Sequence, residues 1–152
     1  MGRPKRNEVL GTIYHVFFRG NRGENIFRQA ADYLCFLADL AKLTREHNIS
    51  VLAFCLMPNH VHLCLQTHSY GDTLAKLMQR LNLRHAQRYN ATYKVRGRLN
   101  EARYHAKVVI EALSDDELGR EYLRTLIHYI HKNPVRGRLC LTADEWRYSS
   151  HL

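Results

Sequence analysis

The 152-residue chain contains no apolar run approaching the roughly eighteen residues that a bilayer-spanning helix needs. Its first residues, Met1-Gly2-Arg3-Pro4-Lys5-Arg6, lack the apolar stretch of a signal peptide, so the expectation is a protein that stays in the cytoplasm. The four cysteines, Cys35, Cys55, Cys64 and Cys140, have no C-x-x-C spacing and sit among apolar neighbours. That favours buried free thiols over a disulfide or a zinc frame. There is no internal repeat and no low-complexity tract, and the length suits one domain with one core. We expect a single domain over 1–152, with a basic arm at 1–10 and a tail at 134–152. Acidic residues are scarce, 14 against 23 Lys and Arg, for a net charge of +9 and a pI near 9.7. Such a surplus favours a polyanionic partner.

The surplus is concentrated. From Lys76 to Lys107 lie nine basic residues (Lys76, Arg80, Arg84, Arg88, Lys94, Arg96, Arg98, Arg103 and Lys107) against one acid, Glu101, so this stretch carries +8 of the total. Lys76, Arg80, Arg84 and Arg88 recur every four residues and make a stripe on one helix face. Unmixed charge repels itself unless a polyanion neutralises it, which points to nucleic acid. Arg3, Lys5 and Arg6 suit either a phosphate-binding arm or a disordered solubilising tail. Tyr89, Tyr93 and Tyr104 are candidates for stacking on unpaired bases, at about 1–3 kcal/mol each, or equally for core packing.

Thr12 to Phe18 reads as a strand ending in the turn Arg19-Gly20-Asn21-Arg22-Gly23. A helix follows over about 26–47, with apolar positions at Ala30, Tyr33, Leu34, Leu37, Leu40 and Ala41. Ile49 to Met57 and His60 to Gln66 form adjacent strands joined at Pro58-Asn59. Asp72 is positioned to cap a second helix running to about Asn90, and a fourth strand lies near Tyr104 to Ile110. Ser114-Asp115-Asp116-Glu117 has the pattern of a capping box for a third helix, which should stop near Asn133 because Pro134 follows. Trp146 and Tyr148 are expected to pack back onto the domain. The order β-α-β-β-α-β-α implies an α+β fold: one antiparallel four-stranded sheet with helices on one face.

Residues two apart on a strand share a face, so His60 and His62 present two imidazoles together. Taken alone the pair is weak evidence for a metal, since ten histidines in this length give about 0.65 such pairs by chance. On the third helix Tyr129 and Asn133, four apart, reach one place if the helix crosses the histidine face. Equally, Tyr129 suits an interface aromatic and Asn133 a C-terminal cap.

Several blocks carry a family resemblance. Gly2-Arg3-Pro4, Tyr14-His15-Val16, Arg19-Gly20-Asn21-Arg22, Cys55-Leu56-Met57-Pro58-Asn59-His60-Val61-His62-Leu63 and Tyr129-Ile130-His131-Lys132-Asn133-Pro134-Val135-Arg136 resemble the REP-associated tyrosine transposases and their single-tyrosine insertion-sequence relatives in the HUH superfamily. The resemblance spans almost the whole chain. It implies an RRM-like (ferredoxin-like) sheet bearing His60 and His62 as metal ligands, with Asn133 as the third. On the C-terminal helix Tyr129 is implied to be the catalytic nucleophile. The implied cofactor is Mg²⁺ or Mn²⁺, and imidazole with amide suits manganese better. The implied partners are single-stranded DNA with hairpins and a second copy of the chain, in a nucleoid-associated setting. Arg3, Lys5, Arg6, Arg19, Lys76, Arg80, Arg84, Arg88, Lys94, Arg96, Arg98 and Arg103 are then the DNA-binding candidates. Gly97-Arg98-Leu99-Asn100-Glu101-Ala102-Arg103-Tyr104 departs from the pattern of the family, whose members often carry an aromatic and a glycine just before the fourth strand. The implied reaction is nicking and rejoining through a 5′-phosphotyrosine. Its competitors are a binding-only RRM-like module and a hydrolytic metallonuclease in which metal-bound water attacks.

Overall fold

The computed structural model describes residues 9–71, 73–111 and 117–151. The basic arm with Arg3, Lys5 and Arg6, the cap at Asp72 and the capping-box residues Ser114 to Asp116 lie outside the described residues. Four strands form one sheet: β1 (Ile13–Arg19), β2 (Ile49–Met57), β3 (His60–Thr67) and β4 (His105–Ile110), in the order β2-β3-β1-β4. Every neighbouring pair is antiparallel. Three helices complete it: α1 (Ala30–Glu46), α2 (Thr73–Tyr93) and α3 (Glu117–Arg136).

Alternation along the strands divides the sheet into two faces. Tyr14, Val16 and Phe18 of β1 and Val61, Leu63 and Leu65 of β3 point into the main core, where they meet Tyr33, Phe36, Leu40 and Leu43 of α1 and Leu74, Leu77, Met78 and Leu81 of α2. The α1 stripe is turned slightly from the expected one: Phe36 and Leu43 are buried, whereas Leu34 is exposed. The helix begins later than expected because Gln29 and Asp32 form a capping box, leaving Ile26 and Phe27 to plug the core from the preceding loop.

The other face carries Ile13 and Cys64 with Ala53, Cys55 and Met57 of β2, and α3 lies across these residues through Leu126 and Ile130. The helix does not stop at Asn133. It continues past Pro134 to Arg136, because the Asn133 side chain compensates for the missing proline N–H. That N–H would have bonded to the Ile130 carbonyl; Asn133 Nδ2 instead donates to it at 3.4 Å and to the Tyr129 carbonyl at 2.9 Å.

The tail packs back as expected. Trp146 Nε1 donates to the Leu56 carbonyl at 3.0 Å, and Tyr148 to Ser150 pair with the outer edge of β2. Covering that edge removes a free ladder of backbone groups. Cys55 and Cys64 are buried, Cys35 and Cys140 partly so, and all four are free thiols. No helix among the described residues is long and apolar enough to cross a membrane.

The β2–β3 hairpin tip is bolted to the turn after β1. Gly20 N–H donates to the Asn59 carbonyl at 2.8 Å, and Ile26 N–H donates to the Pro58 carbonyl at 2.8 Å. The approach leaves no room for a side chain: a Cβ on Gly20 would stand 2.1 Å from the Glu24 carbonyl oxygen. Gly20→Ala is therefore expected to destabilise the fold by about 1–3 kcal/mol, the usual cost of overpacking. Urea unfolding tests it, and an unchanged midpoint would contradict the close contact.

Candidate active site

His60 and His62 stand on the α3 face of β3, opposite Arg19 and Phe17 of β1. Their ring centroids are 5.2 Å apart with planes at 89°. Each ring is held from behind at Nδ1. His60 Nδ1 donates to Asn59 Oδ1 at 2.7 Å, while the Asn59 amide nitrogen donates to the Gly23 carbonyl at 3.3 Å, so that side chain has a fixed orientation. His62 Nδ1 and His15 Nε2 are hydrogen-bonded at 3.0 Å, both rings being buried. These contacts leave Nε2 of each candidate ligand for another partner.

Burial keeps the cluster uncharged. It pushes His62 down to about 3, helped by the neighbouring His60 and His15. His15 is lowered to about 4, first by burial and then by Lys107. His60 is lowered by burial and by Arg19, against which a side-chain hydrogen bond with Asn133 acts. Neutral imidazoles are the form that binds a metal.

α3 delivers the remaining groups. Tyr129 presents its ring edge-on to His62, with centroids 5.6 Å apart at 83°, and to His15 at 6.4 Å. It is partly open to solvent, with 37 % of its surface exposed. Asn133 is buried beside His60; with Nδ2 committed to backbone carbonyls, its Oδ1 is the atom available to the site. It is a residue within the helix, not a cap. Arg136 places its guanidinium 5.1 Å from the Tyr129 ring centroid. His128 and His131 point elsewhere: His128 is exposed, and His131 Nε2 bonds to Ser150 Oγ at 2.8 Å.

Two neutral imidazoles with anchored Nδ1 atoms and one oriented amide oxygen fit a divalent transition-type cation, since imidazole suits such ions and an outer partner fixes each ring. Among the described residues no three His, Cys, Asp or Glu side chains form a metal cage, so any third protein donor beside the histidine pair would be the Asn133 amide oxygen. A donor set without carboxylate also leaves the charge of a cation to be met by an anionic substrate.

A groove of about 670 Å³ adjoins the histidine pair, lined by Phe17, Arg19, Asn59, Glu101, Arg103 and His105 among others. Phe17 stacks on His105 across the strands, 4.9 Å apart at 15°, and Lys107 Nζ stands 5.7 Å from the Phe17 centroid. Arg19 pairs with Glu101 at 3.0 Å. Both side chains are solvent-exposed, so the pair is worth little and releases Arg19 easily.

The basic stripe reads differently in three dimensions. Arg84 and Arg88 bond to the two carboxylate oxygens of Asp39 at 2.8 and 2.7 Å, and Arg80 bonds to Glu46 at 2.8 Å. The acids that mix the charge come from α1, so self-repulsion no longer argues for a polyanion there. This helix, with Lys76, also packs on the sheet face opposite the histidines. Tyr89 donates to the Asn25 carbonyl, Tyr93 donates to Asp32 and Tyr104 packs against the main core, so packing accounts for all three. Lys94, Arg96 and Arg98 are exposed on the loop after α2, and of the basic segment it is Arg103 that lines the groove. His15, Phe17, His105 and Arg136 join the site without having been singled out individually. Alternation along β1 would have placed His15 and Phe17 on the histidine face, and Arg136 follows Tyr129 by seven residues, two helical turns.

The chain thus has an RRM-like sheet that turns a histidine pair toward a helical tyrosine. The solved structure of a REP-associated tyrosine transposase bound to a REP hairpin superposes with a TM-score of 0.73 at 15% identity, over 99% of this chain and 82% of that one. A crystal structure of a candidate transposase from Deinococcus radiodurans R1 aligns with a TM-score of 0.50 at 19% identity, over 85% of this chain and 97% of that one. The sequence matches the model of the IS200-like transposases over residues 8–133, and the chain belongs to that family. No curated protein sequence matches it. The fold and family expected from the sequence blocks are those found.

The buried neutral histidines make stability depend on pH. An unfolded histidine titrates near 6.5, but His15 and His62 in the fold do so near 4 and 3, so below pH 6.5 the unfolded chain binds more protons. Their contribution is complete above pH 6.5 and is lost as pH falls toward the folded values. Urea unfolding of chelator-treated protein should show this decline, reduced in His15→Gln; a profile identical in the two proteins would contradict it.

Proposed function

We propose that the chain is a metal-dependent single-stranded DNA transposase that nicks and rejoins hairpin-bearing DNA through a 5′-phosphotyrosine formed on Tyr129. The observation that carries this reading is the meeting, within one chain, of the Tyr129 ring with His62 at 5.6 Å while the buried Asn133 side chain lies beside His60. Membership of a transposase family supports DNA cleavage and joining. A fold neighbour solved with a hairpin supports the shape of the substrate.

His60, His62 and Asn133 would hold the cation, Mg²⁺ or Mn²⁺. The chemistry such an ion supplies when bound is Lewis-acid polarisation of a non-bridging oxygen of the scissile phosphate. Tyr129 Oη attacks the phosphorus in line; the P–Oη bond forms as the P–O3′ bond breaks, and the phenolic proton ends on the departing 3′-oxygen. Arg136, set against the Tyr129 ring, stabilises negative charge developing on the phenol. The phosphodiester energy is retained, so a second 3′-hydroxyl reverses the step without ATP.

The groove of Phe17, Arg19, Arg103 and His105 is the path for the unpaired strand, its cations on phosphates and its rings against bases. All four reacting groups come from one chain, so the site is complete without a residue from a second copy. A homodimer would serve to hold two DNA ends together.

With a labelled hairpin strand and Mn²⁺, wild-type protein should give an adduct that survives denaturation. Tyr129→Phe should abolish it, and His60→Ala or His62→Ala should reduce it about a thousandfold or more, while strand binding by Tyr129→Phe stays near wild type. Cleavage that persists in Tyr129→Phe would instead identify metal-bound water as the nucleophile.

The division of the arginines gives a second test. Arg103→Ala should weaken strand binding and lower the salt slope by about 1. Arg84→Ala should leave the slope unchanged and reduce thermal stability through Asp39. Equal effects on binding would refute the assignment of the groove as the strand path.

A further inference from the structure

We propose that His15 is a positioning residue for His62: its Nε2 accepts the Nδ1 proton of His62, fixing that ring in the tautomer whose Nε2 lone pair is free for a cation. The inference rests on the reading of His62 as a ligand and adds a residue whose role that reading leaves open.

The geometry is specific. β1 and β3 pair in register so that His62 lies opposite Phe17, and His15, two residues back on the same face, is its diagonal neighbour. The rings lie nearly parallel, 21° apart with centroids at 5.2 Å, and the nitrogens approach to 3.0 Å. Both residues are more than nine-tenths buried, so water is poorly placed to substitute for either partner.

One proton lies between His15 Nε2 and His62 Nδ1, and its location decides what His62 can do. If it belongs to His15, His62 must carry its own proton on Nε2 and has no lone pair there. If it belongs to His62, Nε2 is a free donor. The second arrangement matches His60, whose Nδ1 donates to the fixed acceptor Asn59 Oδ1. The two ligands then share one design: an outer acceptor holds Nδ1–H, and Nε2 is presented to the site. Outer partners of this kind are commonly worth 10- to 100-fold in metal affinity. This assigns a purpose to the Tyr14-His15-Val16 block: it puts an imidazole on the site face of β1, between neighbours that point into the core.

The test has two readouts on the full chain. Long-range ¹H–¹⁵N correlation spectra of metal-free protein should show His62 protonated at Nδ1 in the wild type and shifted toward the Nε2–H form in His15→Phe, which keeps a ring and removes the acceptor. Mn²⁺ affinity, measured by calorimetry without DNA, should fall about 10- to 100-fold in His15→Phe and recover to within a few-fold of wild type in His15→Gln, whose amide oxygen can occupy the place of Nε2. An unchanged His62 tautomer in His15→Phe, or an Nε2–H tautomer in the wild type, overturns the proposal. So does a Gln variant that binds Mn²⁺ as poorly as the Phe variant while its unfolding curve matches wild type. Failure of wild type to bind Mn²⁺ would count against the metal-dependent function, and the tautomer measurement would still decide the role of His15.

Discussion

The seating of α3 on the sheet determines whether the molecule has a site at all. The helix rests on Ala53, Cys55 and Cys64, small side chains that let its axis come close, and it is held by Ile130, which is fully buried, and Leu126. Each such side chain contributes about 1.5–3 kcal/mol of burial. At the end of the helix Gly137 lies so near Met57 that an added Cβ would stand 2.8 Å from its terminal methyl, which brings the helix terminus against the β2–β3 hairpin that carries His60. With Ile130 pinned downward, Tyr129 is rotated about one helical step toward β1, and Asn133, one turn on, falls beside His60. The meeting of these side chains follows from where an apolar residue between the two polar ones must go.

The electrostatic arrangement follows from the same two-faced sheet. On the face covered by α1 and α2, arginines are matched with Asp39 and Glu46 and serve the union of two helices. On the other face the histidines are neutral by burial, and Arg19, Arg103 and Lys107 stand around a groove whose acid among the lining residues is Glu101. A stripe and a groove that look alike in sequence thus have different counter-ions. The cations of the groove, unlike those of the stripe, are not matched by acids of a neighbouring helix.

Much of the fold was legible because its signals are local. Period-two alternation marked the strands, Pro58-Asn59 marked the hairpin and apolar periodicity marked the helices, so β2 runs over the expected residues and the other described elements differ by a few. The stopping point of α3 was not legible by rule. A proline normally ends a helix, and only the adjacent asparagine's hydrogen bonds, visible in three dimensions, let this one continue. The pairing of the α2 arginines was hidden for a related reason: their carboxylates lie some forty-five and forty-nine residues away on another helix. For the site, the spacings of His60 with His62 and of Tyr129 with Asn133 showed that each pair shares a direction. That the two directions meet is a matter of helix packing, and neither spacing contains it.

The Asn133-Pro134 dipeptide joins the structural and chemical requirements in one place. Proline leaves the Ile130 carbonyl short of a donor, and a side chain with a donor of its own can help from the preceding position. The part proposed for Asn133, beside two imidazole nitrogens, calls for a free oxygen lone pair. Aspartate would offer the oxygen and not the donor, a basic residue the donor and not the oxygen, and an apolar residue neither. An amide has both, and because its nitrogen is committed to the Tyr129 and Ile130 carbonyls, its oxygen has no freedom to turn from His60. The bond that repairs the helix is therefore the one that orients the amide oxygen. It also ties the Asn133 side chain to the backbone of Tyr129, so the two residues move as a unit whenever α3 shifts on the sheet.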